Sequence, residues 1–150
     1  MSQWALPPTA QARDPITRRM SRVLIEYEGP RAAFFTDEMG SIFFGVASDE
    51  DEGHVRWIVS EISPLEAKGI ALRATTLRQA LTQERVDVVD FDMRGNPSAA
   101  WHVAFSEVPL DALPEVSALL PPLTEPVLRE ILAGELAQRE GIDLGEGWVS

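Results

Sequence analysis

Asp90-Phe91-Asp92 puts two carboxylates on one face of an alternating segment, an arrangement that can hold a divalent cation for hydrolytic or phosphoryl-transfer chemistry. Glu66-Ala67-Lys68 offers the further acid and the lysine that such a site would use. The spacing works against the pair, however. Pro64 and Gly69 place Glu66 and Lys68 on a helical turn, whereas this chemistry builds its acids and lysine on adjoining strands.

Asp49-Glu50-Asp51-Glu52 supplies the oxygen-rich run that calcium or magnesium requires. With Gly53 in the glycine position of a calcium loop, the closing bidentate glutamate would fall on Val59, so the register is wrong for that site. The run 48–53 therefore reads as a solvated acidic loop between strands. His54 and His102 are the only histidines, and neither stands in a metal-binding spacing. With no cysteine, no nucleophile elbow and no phosphate-binding glycine loop, neither a metal nor a cofactor is expected.

The four tryptophans fall into two pairs. Trp57 and Trp101 belong to alternating segments and read as core, while Trp4 and Trp148 lie in the terminal segments, where an aromatic packs back on its own domain or anchors a partner or a neighbouring subunit.

The formal charge is −11, unevenly spread. Residues 1–22 carry Arg13, Arg18, Arg19 and Arg22 against Asp14 alone, leaving −14 on the rest of the chain. That acidity repels nucleic-acid phosphates and suits a protein partner with a basic surface. Apolar runs such as 42–47 are far too short to span a bilayer, and the N-terminal residues lack a basic stretch followed by an apolar one. A cytoplasmic location away from membranes is the expectation.

The elements that must position these residues follow from turn signals and periodicity. Residues 1–19 hold Pro7, Pro8 and Pro15 without a regular period and read as a basic arm, flexible or docked. A single domain is expected over 20–141, followed by a glycine-rich tail, 142–150. Within it, 23–27 and 32–36 flank Gly29-Pro30 as a hairpin, 41–47 makes a third strand and 55–60 a fourth. Ser63-Pro64-Leu65-Glu66 and Thr76-Leu77-Arg78-Gln79 are helix-start signals, the first stopped at Gly69 and the second running to about Glu84. Residues 86–92 and 99–107 form a second hairpin, and Val127, Leu128, Ile131, Leu132 and Leu136 line an amphipathic helix closing at Gly141. The sum is an α+β domain with a mainly antiparallel sheet of about six strands, with a strongly curled, barrel-like sheet as the alternative.

Glu26-Tyr27-Glu28-Gly29-Pro30, Ile62-Ser63-Pro64-Leu65-Glu66 with Gly69-Ile70-Ala71-Leu72-Arg73, and Pro109-Leu110-Asp111-Ala112-Leu113-Pro114 together resemble a small bacterial domain family of unknown function, over roughly residues 22–120. The resemblance implies no activity; such domains in bacterial and phage-related proteins suggest an accessory or defence role. The leading expectation is a non-enzymatic interaction protein, such as an antitoxin, immunity factor or defence-assembly subunit. Trp4, Arg18, Arg19, Asp49, Glu50, Asp51, Glu52 and Trp148 are its partner-binding candidates, and an oligomer is compatible with it. The alternative is a nuclease-like, divalent-metal-dependent hydrolase using Asp90, Asp92, Glu66 and Lys68.

Overall fold

The computed structural model describes residues 4–13, 19–51 and 53–134. Seven strands, β1 (Gln11–Arg13), β2 (Arg19–Glu26), β3 (Pro30–Thr36), β4 (Ile42–Asp51), β5 (His54–Ile62), β6 (Arg85–Asp92) and β7 (Pro97–Ala104), form one antiparallel sheet in the order β1-β7-β6-β5-β4-β3-β2. Between β5 and β6 lie the short helices α1 (Pro64–Ala71) and α2 (Leu77–Leu81); α3 (Glu125–Leu132) follows β7 after two single-turn 3₁₀ segments.

The strands arise from β-branched and aromatic residues in alternation. In β3, Phe34 points to one face and Phe35 to the other, and both are fully buried. Phe34, Phe44, Ile58, Val88 and Val103 pack with Ile70, Leu81 and Ile131 of the helices. On the opposite face Phe35, Phe43, Trp57, Val59 and Phe91 make a second cluster. Gly45 lets that cluster close, because a Cβ there would lie 2.9 Å from Phe35 Cε1 and 3.0 Å from Val59 Cγ2. Phe35 can thus lean across β4 onto Trp57, with ring centroids 5.4 Å apart, edge to face.

Several expectations are overturned. Among the described residues 42% are strand and 22% helical, so the protein is mainly β rather than α+β. The helices are too short to form a layer of their own. The sheet has seven strands rather than six and is not strongly curled; it stays open, with β1 and β2 at separate edges. The seventh strand is β1, taken from the segment that reads as an arm, and it pairs Gln11 with His102 and Arg13 with Ala100. Acidic residues expected in a loop instead continue β4 to Asp51, with Glu50 opposite Val55 and Asp51 opposite His54.

Helix α1 does not stop at Gly69. It runs to Ala71 and the chain then reverses at Arg73 (φ 63°), with Gly69 O accepting from the amides of Ala74 and Thr75. Both capping boxes form as read: Ser63 with Glu66, and Thr76 with Gln79. Helix α2 ends at Leu81, short of Glu84, and α3 ends at Leu132 with Ala133 as its C-cap, short of the closure expected at Gly141. Among the described residues no helix is long and apolar enough to cross a membrane.

Candidate interaction site at the hairpin end

The up-and-down order of β2 to β7 brings three hairpin turns, at residues 27–29, at Gly53 and at residues 93–96, to one end of the sheet. Each turn is set by local chemistry. Gly29, Gly53 and Gly95 take positive φ, as these tight reversals require. Arg31 braces the first turn by donating from Nε to Tyr27 O at 2.8 Å and from Nη2 to Glu28 O at 3.1 Å. Its Nη1 also meets Glu50 Oε1 at 3.2 Å, tying the first hairpin to the second. Asp92 holds the third turn, its Oδ1 accepting from the amides of Arg94 and Asn96 at 2.8 and 3.0 Å. Those backbone donors, Asn96 first, lower the Asp92 pKa below the ordinary carboxylate value.

A groove of about 170 Å³ opens between the turns, with Val55, Trp57 and Phe91 in its lining and Glu28, Glu50 and Asp92 among its acids. Met93 in its wall is 74% exposed, and Tyr27 beside it 71%. The end of the sheet thus combines exposed apolar side chains with a surplus of carboxylates.

A second feature lies on the helix-bearing face. Between Ala47, opposite Trp57, and Asp49, opposite Arg56, the pairing shifts by one residue, leaving Ser48 as a bulge. Strict alternation would send Asp49 to the face opposite Ser48, but the bulge lets both reach Trp4. Asp49 Oδ2 accepts from the Trp4 amide at 2.9 Å, and Ser48 Oγ from the indole N–H at 3.1 Å. Arg56, 6% exposed, donates to the Trp4 carbonyl through Nη1 and grips Asp90, 7% exposed, through two bonds of 2.7 and 2.9 Å. The Trp4 and Trp101 rings lie 5.0 and 5.5 Å from its guanidinium carbon.

These contacts redistribute the sequence candidates. Trp4 meets Asp49 on the helix-bearing face, Glu50 lines the groove and pairs with Arg31 on the other, and Asp51 ends β4 opposite His54. Arg19 opens β2 at the other end of the sheet, about 23 Å along the strand from Glu26 at 3.3 Å per residue. Arg18, Glu52 and Trp148 lie outside the described residues. The hydrolase candidates are not assembled. Asp90 is committed to Arg56, Asp92 to its turn, and Glu66 to the Ser63 amide at 2.9 Å, while Lys68 sits in the last turn of α1. Asp92 faces His54, the first residue of β5, whereas Glu66 follows the end of that strand, about 27 Å further at 3.4 Å per residue. Among the described residues no group of three or more acids or histidines is placed to hold a metal.

One cluster is not evident from the sequence reading. Asp87 and His102 face each other across β6 and β7, with His102 Nδ1 3.0 Å from Asp87 Oδ1 but not aligned as a hydrogen bond. Arg13 of β1 reaches the same oxygen at 3.2 Å and also touches His102 Nε2. The cluster sits beside a 390 Å³ hollow, whose lining includes Phe43, Val59, Glu61 and Arg85. It fastens β1 to the sheet. No family model, curated protein or solved structure matches this chain.

Proposed function

We propose that this protein is a non-enzymatic interaction module that engages a protein partner through the hairpin end of its sheet. The observation that carries the reading is the convergence of two braced turns on a groove whose lining combines Trp57, Phe91 and exposed Met93 with acidic side chains. A segment carrying a large apolar residue beside lysine or arginine complements both properties. The apolar side chain enters the groove, and the basic one meets Glu28, Glu50 or Asp92. The net charge of −11 favours encounter with such a partner over nucleic acid. The resemblance to a small bacterial domain family adds an accessory or defence-assembly setting by association.

The test is a peptide-display selection against the immobilised full chain, followed by titration of the enriched peptides at low and high salt. Apolar-basic peptides should be enriched, and their affinity should fall with salt and with Met93→Glu. A selection that yields no peptide whose affinity falls both with salt and with Met93→Glu would refute it.

A further inference from the structure

Ser48, Asp49 and Arg56 read four features of one residue: the amide, carbonyl, indole N–H and ring face of Trp4. A tryptophan held only by its ring would be ordinary packing. Here the backbone and side-chain polar groups are all matched, and the Ser48 bulge is what aims two of the matching groups. Such a match is how an extended peptide residue is recognised.

The hold on the rest of the segment is slighter. Between Trp4 and the sheet, Leu6 and Ala10 are only partly buried, and Thr9 Oγ1 donates to Glu107 in an exposed contact of 2.6 Å. The strand that follows, β1, is three residues long. A segment fastened at two short stations belongs to the low-stability end of local opening.

We infer that the notch formed by Ser48, Asp49, Arg56 and Trp101 is a peptide-recognition site occupied in cis by Trp4, and that its occupant in trans is a tryptophan-bearing extended segment of the protein partner. This rests on the interaction-module reading and names what a second contact would recognise. Asp51 lies two residues beyond Asp49 along β4 and on the same face, while Glu50 lines the groove on the other, so a partner segment with its tryptophan in the notch meets a further carboxylate beside it. Trp4 is then an internal competitor. While it is docked, incoming peptide sees only the open fraction of the protein, and its apparent affinity falls by that fraction.

The probe is a synthetic, N-acetylated peptide of residues 4–10. It contains no basic residue, so it reports on the notch and not on the acidic groove. Against the full chain carrying Trp4→Ala, it should bind saturably and at least roughly tenfold more tightly than to wild type. Changing its tryptophan to alanine, or adding Ser48→Ala with Asp49→Ala to the protein, should abolish binding. In isotope-labelled wild type, several millimolar unlabelled peptide should shift the Trp4 indole resonance toward its solvent-exposed position.

Equal binding to wild type and Trp4→Ala would overturn the inference, as would absence of binding to a Trp4→Ala chain that keeps its circular dichroism. If that variant does not fold, an unmoved indole resonance in wild type overturns it instead. Dimers that exchange residues 4–13 between two copies, and that Trp4→Ala dissolves, would show the occupant to be a second copy and overturn the partner reading. Failure of this peptide leaves the groove selection unaffected, because that selection reads Met93 and salt.

Discussion

Replacing Asp90 with alanine leaves the Arg56 guanidinium buried without its carboxylate. Both side chains are almost wholly removed from solvent, and the pair is bidentate at 2.7 and 2.9 Å. Breaking a buried pair by deleting one partner costs about 3–5 kcal/mol. Two features move the expected cost to the lower end. Arg56 keeps the Trp4 carbonyl and lies against two indole rings, each interaction with a ring contributing about 0.5–2 kcal/mol. We therefore expect a loss of about 3 kcal/mol, or about 6–12 °C in Tm for a chain of this size. Urea unfolding followed by tryptophan fluorescence, with calorimetry, measures both. Replacing Arg56 and Asp90 together by leucine should cost less than Asp90→Ala alone, since no unpaired charge remains. A loss below about 1 kcal/mol, or a double variant that loses more than the single one, would refute the assignment of Arg56 as the buried pivot of this face.

Gly45→Ala should destabilise by about 1–3 kcal/mol, because the new methyl meets Phe35 and Val59 at or within 3.0 Å; chemical denaturation measures it. Ser63→Ala and Thr76→Ala should each lower stability by about 1 kcal/mol by removing one half of a capping box, and the two should add. Asp92 has a folded-state pKa below its unfolded one, so its contribution is present above the unfolded value and is lost as pH falls through the folded value. Wild type should therefore exceed Asp92→Asn in urea midpoint at neutral pH, with the difference shrinking in acid; a difference that grows in acid would contradict the turn assignment.

Much of the sheet was legible because its turns carry glycine at positive φ and its strands alternate. Helix lengths were harder to read, because Ser63 and Thr76 announce starts without fixing ends: α1 runs past Gly69 to Ala71 and α2 stops at Leu81. Asp49-Glu50-Asp51 looked like a loop because strands avoid such runs. The run continues β4 here because Arg56 and His54 stand opposite two of the acids and Arg31 reaches the third. β1 has no pattern of its own: Gln11, Ala12 and Arg13 become a strand only through β7.

Bulges hid the rest. In the β6–β7 hairpin Phe91 faces Pro97 but Asp90 faces Ala99, so counting back from the turn without that shift misplaces Asp87 relative to His102 by one residue. The shift at Ser48 likewise concealed that Ser48 and Asp49 converge on Trp4. Docking of Trp4 on its own domain was legible, but not which residues would hold it.

Binding of a basic, apolar protein segment at the hairpin end is tested by comparing the affinity of a display-selected peptide for the full chain with that for Met93→Glu, alongside their melting temperatures. Met93 is exposed, so stability should hold within about 0.5 kcal/mol while affinity falls at least roughly tenfold. Unchanged affinity in a stable Met93→Glu chain would contradict binding at this end of the sheet.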